Sequence, residues 1–118
     1  MKVFPVAQGS GYRYSGGFSR SHQGVDIFAP KGAPVLAVDG GVARPRTNRK
    51  GGRVVHLKAT DGRRYYYAHL DAWAPGLVDG KAAAVQAGQV LGHVGSTGNA
   101  AGTEPHLHFQ VTTSAGKT

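Results

Sequence analysis

The sequence predicts an all-β fold, a single-domain antiparallel β-sandwich or open barrel, and three observations carry that expectation. Short runs with period-two alternation recur along the chain, glycine-containing turn signals separate them, and no long stretch keeps a helical period. Nineteen glycines and six prolines punctuate a chain that is still 40% hydrophobic, the composition of a folded, turn-rich protein. A length of 118 residues suits one domain, residues 1–118, with one modest core.

Taken in order, Ala33-Pro34-Val35-Leu36-Ala37-Val38 reads as a strand ended by Asp39-Gly40-Gly41. Arg44, Arg46, Arg49, Lys50 and Arg53 follow and are expected to crowd one loop, a cationic tip suited to an anionic partner. Residues 53–60 and 63–70 read as the arms of a hairpin about Asp61-Gly62, a pair that suits a turn with positive φ at both positions. Val55, Leu57 and Ala59 share one face of the first arm. In the second, Tyr65, Tyr67 and His69 share a face, with Tyr66, Ala68 and Leu70 opposite. On this alternation Tyr67 belongs with His69 to an aromatic row lining a groove, and is a candidate substrate-binding residue. Ala82-Ala83-Ala84 is expected to form a helical turn at most. Gln89 to Gly92 reads as a strand, a glycine-rich loop follows, and a last strand runs from about Pro105 to Thr113.

Composition narrows the chemistry. The absence of cysteine excludes disulfides, iron–sulfur clusters and thiolate zinc sites, so any metal must be held by His, Asp or Glu. No run approaches the roughly 18 apolar residues of a membrane span. The opening Met1 to Gly9 has no signal-peptide core, so the chain is expected to be cytoplasmic, processed, or cut from a longer protein. The net charge of +8 and the tyrosines raise the rival reading of a nucleic-acid-binding β-module. That reading leaves the placed histidines unexplained and lacks an RNA-binding signature, so no nucleic-acid partner is expected.

The histidines are the informative residues. In Pro105-His106-Leu107-His108-Phe109-Gln110-Val111 the strand period puts Leu107, Phe109 and Val111 on one face, and His106, His108 and Gln110 on the other. Two imidazoles one pleat apart can address one metal or one substrate. His22 and Asp26 stand four apart with Gly24 between, a nitrogen and a carboxylate donor able to fold onto one ion. Catalytic zinc needs three such ligands and an open position, which His22, Asp26 and one histidine of the last strand supply. Tyr67-Ala68-His69-Leu70 adds a third element. Glu104 is the only glutamate, and no HExxH is present, so proton transfer is expected to fall to imidazoles and Glu104 to be loop charge. His56 and His93 are expected at the surface.

The ordered trio HxxxD, YxHL and HLHF resembles the M23 family of zinc metallopeptidases, the lysostaphin- and LytM-like peptidoglycan endopeptidases. Phe4-Pro5-Val6, Gly24-Val25-Asp26-Ile27, Val85 to Gly92 and Gly95-Ser96-Thr97-Gly98-Asn99 resemble the family's flanking pattern. The resemblance implies zinc on His22, Asp26 and His108, with His69 and His106 catalytic beside it. It implies an antiparallel sheet with a groove across its concave face and a zinc-activated water as nucleophile. It also implies peptidoglycan stem or bridge peptides as substrate, anionic cell-wall polymers as partners of the cationic tip, and action in the cell envelope or outside the cell; a monomer without membrane or nucleic-acid partners is expected. Members split between pentaglycine bridges and the D-alanine to diamino-acid cross-link. The family also contains regulators of other wall hydrolases that lack the ligands, a second rival reading. This chain departs from the pattern at Glu104, where a small residue is usual, and at Gln110, where glutamate is common.

Overall fold

The computed structural model describes residues 1–7, 9, 13–15 and 24–112, of which 13–15 as backbone alone. Among the described residues nine strands follow one another: β1 (Arg13–Ser15), β2 (Gly24–Phe28), β3 (Pro34–Leu36), β4 (Gly41–Asn48), β5 (Gly52–Ala59), β6 (Arg64–Trp73), β7 (Ala83–Val85), β8 (Val90–Val94) and β9 (His106–Thr112). A single 3₁₀ turn, Gly98–Ala100, precedes β9. Every pairing is antiparallel. The sheet runs β1-β2-β9-β6-β5-β4-β7, with β8 joining β6 to β3. The architecture is therefore all-β and open, as the alternation predicts.

Strand β6 positions the site because, besides β5 on one edge, it serves two partners in turn on the other. Residues 64–68 pair with β9, ending at Ala68 opposite His108, whereas Leu70 to Trp73 pair with β8. His69 stands at the changeover with φ 68°, the only left-handed non-glycine among the described residues. The kink redirects the strand and breaks its alternation there. Tyr65 and Tyr67 point into the core with Val55, Leu57, Leu107 and Phe109, while Tyr66 takes the other face. Tyr67 is 0% exposed, and its hydroxyl accepts the Val38 N–H at 3.0 Å. Burying each such aliphatic or aromatic side chain contributes roughly 1.5–3 kcal/mol. The expected aromatic row is thus core, and Tyr67 is corrected from groove residue to core residue.

Other expectations change for local reasons. At the β5–β6 turn only Gly62 has positive φ, 92°. Its N–H bonds to Ala59 O at 3.0 Å, and the Ala59 N–H to Arg63 O at 2.8 Å. Thr60, Asp61 and Gly62 form a three-residue loop, which needs one left-handed position where the two-residue turn needs two. Arg44 and Arg46 lie on β4, alternating with buried Ala43 and Pro45, so only Arg49 and Lys50 belong to the turn and Arg53 lies on β5. Ala83–Val85 is a short strand. Its alanines favour helix, but the open edge of β4 at Gly41 to Ala43 supplies the hydrogen-bonding partner. His93 is half-buried on β8 and His56 is exposed on β5.

Candidate active site

Three strands carry the site. β2, β9 and β6 lie side by side in unbroken register, so Asp26 pairs with His108 and His108 with Ala68. The β9 alternation holds: Leu107 and Phe109 are buried in the core, and His106, His108 and Gln110 line a groove of about 590 Å³. Asp26, His69 and Tyr66 line the same groove, with Lys50 and Asn99 on its rim. The structure brings together Asp26, His69, His106 and His108. His22 lies outside the described residues, and among those described no group of three His, Asp or Glu side chains forms a metal cluster.

Hydrogen bonds divide the three imidazoles into two kinds. His69 Nδ1 is 2.7 Å from the Thr97 carbonyl and His106 Nδ1 is 2.9 Å from the Glu104 carbonyl. A carbonyl only accepts, so both rings donate from Nδ1, and in the neutral tautomer the lone pair lies on Nε2. His108 differs, because acceptors face both its nitrogens: Gln110 Oε1 at 2.9 Å from Nε2 and Asp26 Oδ1 at 2.7 Å from Nδ1. Gln110 thereby supplies the acceptor that glutamate supplies in the family pattern, without the charge.

The rings are close. His69 and His106 have centroids 5.0 Å apart at 61°, and His69 and His108 6.2 Å apart. Phe28 lies 5.0 Å from His106 on the other side. His69 and His106 are buried, at 8% and 9% exposure. Burial holds the His69 imidazole below its ordinary pKa; the Thr97 carbonyl opposes that shift, while His106 and His108 add to it and Asp26 opposes it. A neutral ring at pH 7 follows.

A clasp of main-chain groups sets His69. Its N–H donates to Gly51 O at 2.8 Å, and the Thr97 hydroxyl donates to Leu70 O at 2.8 Å. The Asn99 N–H reaches Lys50 O at 2.8 Å, closing the β4–β5 turn onto the loop before β9. Gly52 and Gly98, with φ 69° and 70°, meet at this crossing. A Cβ on Gly52 would strike Thr97 Oγ1, and one on Gly98 would strike Gly52 N. Sequence reasoning missed Tyr66, Lys50 and Asn99 as groove residues. Tyr66 sits on the face that the alternation had opposed to the row, and Asn99 lies in the Gly95–Asn99 segment already singled out.

Residues 20–118 match the model of Peptidase family M23. The chain is 37% identical over 108 residues to the L-Ala--D-Glu endopeptidase of Bacillus subtilis, covering 86% of this chain and 32% of that one. Among solved structures it is similar to the catalytic domain of lysostaphin from Staphylococcus simulans, with a TM-score of 0.74, 30% identity, and coverage of 91% and 87%. It is also similar to a zinc-containing peptidase from Vibrio cholerae, with a TM-score of 0.76, 28% identity, and coverage of 92% and 35%. The chain spans about a third or less of the curated relatives it matches. The fold, the groove and these matches agree, and the chain belongs to peptidase family M23.

Proposed function

We propose that this chain is a zinc-dependent endopeptidase that hydrolyses peptide bonds in the cross-links of bacterial peptidoglycan, working in the cell envelope. The observation that carries the reading is the convergence of Asp26, His69, His106 and His108 on the floor of one groove. Relatives named as endopeptidases of L-Ala–D-Glu and glycyl-glycine bonds support the substrate class.

His22, Asp26 and His108 would hold the metal. The donors fit zinc: a carboxylate oxygen meets an imidazole whose other nitrogen is committed to an amide oxygen, the outer partner that orients a ligating histidine. When bound, zinc supplies Lewis acidity at the scissile carbonyl and lowers the pKa of water to about 7. The protein's own residues supply proton transfer and orientation. His69 and His106 present Nε2 lone pairs from rings that Thr97 and Glu104 carbonyls hold in place. One of them accepts the proton of the attacking water. The other, in its protonated form, stabilises the oxyanion or protonates the leaving amine. The open groove admits an extended peptide across the sheet.

Elemental analysis of the purified protein, followed by digestion of walls with pentaglycine and with direct D-alanine cross-links, tests the proposal. New amino termini identified by mass spectrometry name the bond. Intact walls of both kinds in the presence of bound zinc would sink the enzymatic reading in favour of a regulator of wall hydrolases.

A further inference from the structure

The groove does not stop at the histidines. Gln110 and Tyr66 also wall a second depression of about 440 Å³, which continues past His56 and Arg64 into a third of about 340 Å³ beside Arg44 and Lys58. Register explains the continuity. Gln110, Tyr66, His56 and Arg44 are successive cross-strand partners on β9, β6, β5 and β4. Thr112, Arg64, Lys58 and Val42 form the next row. Alternation places all of them on the face opposite the core.

This trough carries one sign of charge. Arg44, Lys58 and Arg64 are exposed, and among the described residues no carboxylate lines either depression. The aspartates are engaged elsewhere: Asp26 on His108, Asp39 on the buried Tyr65 hydroxyl, Asp61 near Arg63, Asp71 on Lys31, Asp79 on Thr47. Cations left together on a sheet repel one another, so the arrangement favours an anionic ligand. Guanidinium groups favour carboxylates, which they bind in paired hydrogen bonds.

We propose that Arg44, Lys58 and Arg64 form a carboxylate-reading subsite that holds an acidic residue of the substrate peptide. The proposal rests on the reading that the groove takes a peptidoglycan peptide. Arg64 lies opposite Thr112, four residues along β9 from His108, or about 13 Å. At about 3.3–3.6 Å per extended residue, the carboxylate sits three or four residues from the bond that is cut.

The test uses purified peptidoglycan stripped of teichoic acid, with its free carboxylates intact or converted to amides, and reads binding by co-sedimentation. The unaltered protein should bind the amidated wall about 10-fold more weakly, the scale of losing one charge-assisted hydrogen bond. Lys58→Gln/Arg64→Gln should remove that discrimination, whereas Lys2→Gln/Lys31→Gln, which deletes the same charge elsewhere, should keep it. Equal binding to both walls by the unaltered protein overturns the proposal and needs no variant. Discrimination that survives the Lys58/Arg64 change also overturns it, as does binding that appears only when teichoic acid is retained. Cleavage followed on the same walls reports separately on the endopeptidase reading: a wall bound through its carboxylates yet left uncut would refute that reading and leave the subsite standing.

Discussion

A left-handed backbone costs a residue with a Cβ roughly 1–2 kcal/mol, and His69 adopts one because its N–H and ring are both claimed by neighbouring carbonyls. The crossing of Gly52 and Gly98 is what lets those carbonyls come close. Gly52→Ala should therefore lower stability by at least about 1–2 kcal/mol and reduce turnover while leaving Asp26 and His108 in place; denaturant melts alongside wall-clearing rates check both halves. On the proposed reading the histidines separate by role. His108→Ala should lose zinc and activity together, since a three-ligand site cut to two rarely holds its ion. His106→Ala and His69→Ala should keep near-full zinc while turnover falls about 100-fold or more. Metal retained by His108→Ala but lost by His106→Ala, measured by elemental analysis, would reverse the ligand assignment.

Among the elements, β6 and β9 show what a sequence can and cannot display. β9 is legible because β2 and β6 flank it in unbroken register, so strict alternation holds from His106 to Gln110. β6 is legible only to Ala68. Nothing in Tyr67-Ala68-His69-Leu70 announces a left-handed turn: no glycine marks it, and the partners that impose it come from Gly51 and Thr97, far away in sequence. The same limit hid the cationic face. Arg44 and Arg46 look like loop residues until Ala43 and Pro45 are seen buried between them. The choice of His108 over His106 as ligand rests on family resemblance, whereas their shared face follows from the strand period alone. Tyr67 offers a direct check on the corrected register. Tyr67→Phe should cost about 1–3 kcal/mol by leaving the buried Val38 N–H without its acceptor, and should leave wall cleavage unchanged. A fall in kcat/KM at unchanged stability would return Tyr67 to the groove.

For the whole molecule, acid is the condition to watch. Partial desolvation of the half-covered ring and the nearby Arg46 lower the pKa of His56, which stays exposed at one edge, and burial lowers that of His69. The unfolded chain then binds protons that the native state resists, so these groups leave stability intact above pH about 6.5 and erode it as pH falls through their lowered native values. Denaturant midpoints of metal-stripped protein should be level between pH 7 and 8 and decline towards pH 5, with a smaller decline in His56→Gln; a midpoint independent of pH would refute the linkage. The clasp around the histidines has a different reach, into heredity. The groups that orient His69 and His106 are the main-chain carbonyls of Thr97 and Glu104, with Gly51 fixing the backbone of His69. A point substitution does not delete a carbonyl, but an insertion or deletion moves it. Descendants of this sequence can exchange side chains such as Glu104 with little loss of catalytic alignment, while a single-residue change in the length of the 49–51 turn or the 95–104 loop would shift an imidazole out of place.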